Sequence, residues 1–334
     1  MNDPTPCRTG IEAASAVAHV RLGRRIRDGI RFVIGAAILW VAALVIAVFF
    51  YSDRSGFSGV AGAGASIAAV TLVAFVANHL LRFARWQWML GRLDARVPWP
   101  ASLAIFMAGL GLLPTPGKAG VAVRSLFLER YGVRLRTSLA AYFAERLFDL
   151  LGLLLLAVAF YRGPLSEQIV GIAIVSLIAI VLIARYPTAM VRTLRSAVDG
   201  WTKATLIVDT MGGLLHAAAR LFAWRIGLGF LALGMLANVV VGLLVWSIAT
   251  MLTASIPAET GVGAVAIAHL SGSASMMPGG LGPFEIALLL DLRHIGMVQG
   301  DAVVVVACVR IVTLWGAVIV GLPLLLALLR TTRR

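Results

Sequence analysis

The sequence predicts an all-α fold: a polytopic helical membrane protein of about six spans plus two re-entrant hairpins, arranged as an inverted repeat. Three observations carry this. First, Ala, Val, Ile, Leu, Met, Phe, Trp, Tyr and Cys make up 60% of the 334 residues, with 34 glycines besides, and charged residues only 13%, against roughly 25% in a soluble domain. Second, six apolar runs are long enough to cross a bilayer, which takes about 20 residues. Third, two further apolar stretches are shorter and each runs into a Pro/Gly break. Such a composition excludes a disordered chain, a disulfide scaffold and a soluble enzyme carrying a membrane tag.

The six runs lie near Phe32 to Tyr51, Val60 to Leu81, Leu139 to Tyr161, Ile169 to Ala184, Ile226 to Thr250 and Ala302 to Leu329. The broken stretches are Ala101 to Leu113 and Val262 to Met277. Backbone groups freed at a break are not satisfied by lipid, so each break must be buried in protein or line a wet cavity. Positive-inside counting puts the N-terminal arm, with six arginines up to Arg31, in the cytoplasm. The loop from Ser52 to Gly59 is then outside, and Arg82, Arg85, Arg92 and Arg96 return inside. The next basic cluster, Arg130, Arg134 and Arg136, stays inside only if Ala101 to Leu113 enters and leaves on the cytoplasmic side.

The remainder follows the same rule. Leu139 to Tyr161 exits, and Ile169 to Ala184 returns to a basic segment carrying Arg185, Arg192, Arg195, Lys203, Arg220 and Arg225. At about forty residues this segment suits an amphipathic surface helix and not a catalytic domain. Ile226 to Thr250 leads out to a loop, Leu252 to Gly261, without Lys or Arg. A second re-entrant hairpin over Val262 to Leu290 then lets the final span bring Arg330, Arg333 and Arg334 inside, so both termini are cytoplasmic.

The chain divides into a basic arm (1–31), a transmembrane domain (32–329) and a basic tail (330–334). Within the domain the repeat halves are about 60–161 and 226–329, with the amphipathic segment 185–225 between them. The formal charge of +14, from 29 Lys+Arg against 15 Asp+Glu, is explained by cytoplasmic loops and anionic lipid. No stacking aromatics or base-reading motif accompany Arg21, Arg24, Arg25, Arg27 and Arg31, so no nucleic-acid partner is expected. Cys7 and Cys308 are too far apart in character and position to suggest a pair. No cleavage site stands out after the first run, so a removed signal peptide is not expected.

The breaks resemble each other: Pro116-Gly117-Lys118-Ala119-Gly120 and Pro278-Gly279-Gly280-Leu281-Gly282 are both P-G-x-x-G. Downstream, Gly132 with Gly296, Arg146 with Arg310, Leu150 with Leu314 and Gly152 with Gly316 share one offset of 164, against 162 at the breaks. The first break enters from the cytoplasm and the second from outside, so the halves are inverted. Broken segments at matching positions of inverted repeats point to a transport site near the bilayer midplane.

The run Leu113 to Gly120 with Arg124, then Ala144-Glu145-Arg146-Leu147-Phe148-Asp149, then Met277 to Glu285 (MPGGLGPFE), and finally Arg310 resembles the lysylphosphatidylglycerol synthase transmembrane family, the flippase-like integral membrane proteins. The likeness runs from about Asn78 to the C-terminus. It implies movement of a lipid or lipid-linked substrate without naming one. The family's first motif commonly carries a glutamate where this chain has Val121, and Glu285 is kept in the second motif. Nothing here resembles the soluble aminoacyl transferase domain of the bifunctional members, so no synthase activity is implied.

Arg146 sits inside an apolar span beside Glu145 and three residues before Asp149. Intramembrane charge is expensive and faces partners or a cavity, so Arg146 is either an ion-pair residue or a phosphate-binding one, and the two roles are compatible. Arg310 has no acid near it in its own span and needs Glu285 or an anionic headgroup. Lys118 and Arg124 flank the start of a half-helix whose N-terminus favours a phosphate, or else they snorkel to the interface. Asn78, Arg82 and Arg85 share a helical face after the second span and, with Trp86 and Trp88, read as interfacial anchors. His269, Ser271, Ser273 and Ser275 approach the second break as polar contacts of the bundle.

The expected substrate-binding residues are Lys118, Arg124, Arg146, Arg310, Glu285, Glu145 and Asp149, with hairpin breaks at Pro116, Gly117, Gly120, Pro278, Gly279, Gly280 and Gly282. No catalytic, metal or cofactor motif is present. The expected activity is translocation of an anionic lipid or lipid-linked intermediate between leaflets of the inner membrane of a bacterium-like cell. Its headgroup would meet Lys118, Arg146 and Arg310 between the hairpins. The alternatives are a non-transporting partner subunit of an envelope-lipid or glycolipid assembly, and a membrane enzyme acting on a lipid headgroup.

Overall fold

A computed structural model describes residues 27–43, 45–46, 58–115, 119–163, 166–197, 212, 221, 223–252 and 256–331. Among these residues no strand occurs. In chain order the helices are α1 (27–43), α2 (Ser58–Arg92), α3 (Trp99–Leu110), α4 (Ala119–Glu129), α5 (Leu135–Phe160), α6 (Ser166–Arg185) and α7 (Pro187–Ala197). They continue as α8 (Trp224–Leu252), α9 (Ala258–Ala274), α10 (Pro283–His294) and α11 (Gln299–Thr331), the last passing through a wide π turn at Ile311–Trp315. The protein is a helical membrane protein. Within α2, α8 and α11, the segments Gly62–Arg92, Trp224–Leu252 and Gln299–Thr331 are long and apolar enough to cross a bilayer. α5 is long as well, at 26 residues, but Glu145, Arg146 and Asp149 interrupt its apolar run.

Proline and glycine set the boundaries. Pro98 precedes α3, Pro257 precedes α9 and Pro283 opens α10, the positions where a missing N–H and a fixed φ suit a helix start. α4 and α10 end alike. Gly132 and Gly296 take φ of +74° and +88°, and behind them Val133 N–H donates to Leu128 O (3.2 Å) and Met297 N–H to Leu292 O (3.1 Å). This is a Schellman closure, and it needs the left-handed residue that glycine supplies without strain.

α2 runs to Arg92 without interruption, eleven residues past the apolar run that predicts it. The anchor reading of its polar face is therefore corrected. Asn78, His79 and Arg85 are buried, as is Trp86: Asn78 accepts from Arg82, His79 pairs with Phe75 O and Arg85 meets Asp149 inside the bundle. Of the basic segment 185–225, the structure describes α7, with Arg192 and Arg195 exposed; Lys203 and Arg220 lie outside the described residues.

The element order long, short, short, long occurs twice, as α2–α5 and as α8–α11. The packing follows the same exchange. α3 packs on α11 and α9 on α5, so each short pair leans on the last helix of the other half. α5 packs on α8 as α11 packs on α2, and α2 and α8 pack on each other at the centre. Two apolar clusters result. Ile105, Phe106, Val123 and Phe127 of the first hairpin meet Leu314, Val318 and Leu325, while Val265, Ala268, Phe284 and Leu288 of the second meet Val241, Val245, Val305 and Val309. Small residues permit the closest approaches: a Cβ on Gly321 would strike Met107 O, and one on Gly263 would stand 2.6 Å from Phe160 O.

Candidate anion site

α5 presents Glu145 and Asp149 one turn apart on its buried face, with Arg146 beside them. Helical spacing brings residues three and four apart onto one side, so the two carboxylates form a single acidic patch inside the bundle. Four arginines converge on it. From α2, the fully buried Arg85 places Nη2 2.7 Å from Asp149 Oδ1 and 3.4 Å from Glu145 Oε1. One turn earlier, Arg82 Nη1 lies 3.6 Å from Asp149 Oδ2. From α4, Arg124 Nη1 is 3.5 Å from Glu145 Oε2. Arg146 itself reaches Glu145 Oε1 (3.3 Å) and Asp149 Oδ2 (3.0 Å).

Uncharged neighbours fix these arginines. Arg82 Nε donates to Asn78 Oδ1 (3.0 Å) and Nη2 to Asn238 Oδ1 (3.3 Å), and Asn238 in turn donates to Gly234 O (3.0 Å). Gly234 also makes room for Arg85, since a Cβ there would overlap Nη1. The Arg124 guanidinium lies over Phe106, 4.4 Å from the ring centre, and 5.1 Å from that of Trp86, a cation–π seat that compensates part of its desolvation. Arg124 is thus buried among helices and does not snorkel.

Four guanidinium groups against two carboxylates leave two positive charges in excess. Among the described residues the carboxylates within electrostatic reach of Arg82, Arg124 and Arg146 are those of Glu145 and Asp149. Among the described residues Arg85 Nε and Nη1 and Arg124 Nε are buried without a hydrogen-bond acceptor, and Glu145 Oε2 and Asp149 Oδ1 are held by ion pairs alone. The accessible edge belongs to Arg146, whose side chain is 42% exposed, and to Arg82, at 17%. Such an arrangement attracts an anion, and planar guanidinium groups suit a phosphoryl oxygen face.

The counterpart of Arg146 in the second half is differently employed. Arg310 Nε and Nη2 donate to Glu285 Oε1 and Oε2, both at 2.7 Å. Its Nη1 and Nη2 also donate to Gly279 O (3.2 Å) and Gly280 O (2.8 Å), and the guanidinium sits 3.9 Å from the Phe284 ring centre. Glu285 Oε2 further accepts from Gly282 N–H at 2.8 Å. The break itself is a run of left-handed backbone, with Met276, Gly279, Gly280 and Gly282 at φ of 54°, 64°, 63° and 90°. Arg310 therefore clamps the second break, answering the carbonyls that a broken helix leaves unpaired. Of its two candidate partners, Glu285 is the one it meets.

Beside this clamp an apolar groove of about 670 Å³ opens between α1 and the second hairpin, with Phe32, Trp40, Pro278, Leu281 and Ile286 in its walls and Glu285 at its edge. His269 Nδ1 pairs with Val265 O (3.0 Å) and its ring meets Phe284 edge-on at 4.8 Å. It lies within electrostatic reach of both Arg82 and Arg310.

The expected site residues thus separate into two groups. Arg124, Arg146, Glu145 and Asp149 come together, and Arg310 with Glu285 forms the other; among the described residues no ion pair joins them. Pro116, Gly117 and Lys118 lie outside the described residues. Gly120 packs so closely on Gly109 that a Cβ would overlap Gly109 O, which closes the first hairpin. Sequence reasoning missed Arg82, Arg85, Asn238 and Gly234 as parts of the site. The available signal was the spacing of Asn78, Arg82 and Arg85, which keeps one face polar through a continuing helix. Among the described residues no group of three or more His, Cys, Asp or Glu is placed to hold a metal ion.

The family model described as the lysylphosphatidylglycerol synthase TM region matches residues 30–321. Comparison with curated proteins gives no match, and comparison with solved structures gives none either.

Proposed function

The chain belongs to the lysylphosphatidylglycerol synthase transmembrane family, and on that premise we propose that it translocates a lipid with an anionic headgroup between the leaflets of the cytoplasmic membrane. The observation that carries the reading is the charge excess at Arg82, Arg85, Arg124 and Arg146. Four guanidinium groups held within a helical bundle against two acids are expensive unless a further anion visits them. The headgroup meets Arg146 and Arg82 at the accessible edge while its chains remain in lipid.

Alternating access comes from one half moving against the other. The exchanged packing of α3 on α11 and α9 on α5 supports two equivalent halves, and the charge pattern of the flanking loops supports their inversion. The short helix pairs act as the re-entrant hairpins. Arg310 and Glu285 hold the second hairpin's shape. Glu145 and Asp149 serve as ion-pair partners and not as catalysts, since each carboxylate contacts at least two arginines.

The test is reconstitution. Purified protein in vesicles carrying head-labelled lipids in one leaflet is expected to equilibrate an anionic lipid between leaflets faster than protein-free vesicles. Absence of flux for every anionic lipid from folded, inserted protein would reject the reading.

A further inference from the structure

We propose that the group taken by the arginine site is a phosphoryl group carrying two negative charges, presented by a lipid phosphomonoester or diphosphate. A singly charged phosphodiester, as in phosphatidylglycerol, fits it less well. The inference rests on the translocation reading for its lipid carrier, and deepens it by naming the substrate class.

Charge is the first ground. The site holds two guanidinium charges more than Glu145 and Asp149 neutralise. In a water-poor bundle a residual charge is costly, so a monoanion leaves the site positive while a dianion closes the balance.

Donor count is the second. The accessible edges of Arg82 and Arg146 offer several N–H groups at the open side. A phosphomonoester brings three strong acceptor oxygens, whereas a diester has two non-bridging ones. Arg146 and Arg82 make the direct contacts; Arg85 and Arg124 act through the field of their buried charges.

Arg310 supplies an internal contrast. Its single charge meets the single charge of Glu285, and Nε, Nη1 and Nη2 all donate. The surplus is thus confined to the Arg146 group, although the two arginines occupy matching positions in the two halves.

The ligand's own titration provides the test. A phosphomonoester loses its second proton at a pKa of about 6, so it is a dianion at pH 7.5 and largely a monoanion at pH 5. A phosphodiester is a monoanion at both. The titratable groups around the site, His79 of α2, His269 of α9 and Tyr142 of α5, act alike on both lipids, so the diester arm corrects for them.

Affinities of the purified full chain in a neutral detergent would be measured for phosphatidic acid, phosphatidylglycerol of matched chains, and soluble glycerol 3-phosphate. At pH 7.5 phosphatidic acid is expected to bind roughly ten-fold or more tightly than phosphatidylglycerol, the size of one added charge-assisted contact. The preference should shrink to a few-fold at pH 5 and in Arg146→Gln at pH 7.5. Glycerol 3-phosphate should bind at least about ten-fold more weakly than phosphatidic acid, because it lacks the apolar chains. Equal affinity for the two lipids at pH 7.5, or a preference unchanged at pH 5, overturns the dianion inference. Glycerol 3-phosphate binding as tightly as phosphatidic acid overturns the lipid carrier. Selective binding without flux in vesicles would reject translocation while sustaining the dianion, and equal flux of both lipids would do the reverse.

Discussion

Arg85 and Asp149 form the shortest contact of the anion site, Nη2 to Oδ1 at 2.7 Å, with the arginine side chain fully buried. Neither helix presents its charge without the other: α2 stays helical through Arg82 and Arg85 because α5 answers them. Removing one partner of a buried pair leaves the other uncompensated and typically costs about 3–5 kcal/mol. Arg85→Met is therefore expected to lose about that much stability in denaturant unfolding in detergent. Arg146→Gln, at the exposed edge, should lose under about 1 kcal/mol. Equal losses would mean that the burial ranking of the four arginines is wrong.

Gly234 and Arg85 are a second matched pair. A methyl group at Gly234 overlaps Nη1, so Gly234→Ala should displace the guanidinium and lower stability by about 1–3 kcal/mol, as overpacking does. With Arg85→Met as background the space is freed, and Gly234→Ala should be nearly neutral. A double-mutant cycle reads this coupling; additive losses would show that the glycine does not seat the arginine.

Much of the architecture was legible in the sequence and part of the site was not. The helical membrane class followed from composition and run length. The expectation of a repeat rested on two P-G-x-x-G breaks and paired Gly and Arg positions, of which Gly132 and Gly296 close their helices in the same left-handed conformation. The Arg146 partners were within reach because they lie three residues away or next door on one helix. Arg82 and Arg85 misled because charges after an apolar run normally mark the interface. Their partners sit 60 and more residues downstream, at Glu145 and Asp149, and no local spacing reveals that. Arg124 was expected at the site, but its aromatic seat is built by α2 and α3 and could not be read from its own segment.

The clamp at the second break predicts a coupled pair. Glu285→Gln leaves the Arg310 charge without its counterion and with one acceptor oxygen in place of two, and Arg310→Gln leaves the Glu285 carboxylate and two carbonyls short of donors. Each single change should cost about 2–4 kcal/mol, and the double change clearly less than the sum. Thermal unfolding of the three variants checks it. Strict additivity would show that the two side chains act separately.

Inversion of the halves predicts opposite accessibility of the two hairpin tips. Leu113 and Met276 are 36% and 92% exposed at their respective tips. In a background with Cys7 and Cys308 replaced, Leu113→Cys and Met276→Cys should react with a membrane-impermeant thiol reagent from opposite faces of sealed vesicles. Labelling of both from the same face would contradict the inverted arrangement.

The central claim is that surplus arginine charge within the bundle carries an anionic lipid headgroup across the membrane. Its most direct test is leaflet-resolved flux of phosphatidic acid and phosphatidylglycerol in vesicles, comparing the natural chain with Arg82→Gln/Arg146→Gln. The double variant lacks both accessible guanidinium groups and keeps the buried Arg85–Asp149 contact. The account predicts anionic-lipid flux from the natural chain and a loss of about ten-fold or more in the folded variant, the value of a charged hydrogen bond or two. Undiminished flux in a folded double variant would contradict it.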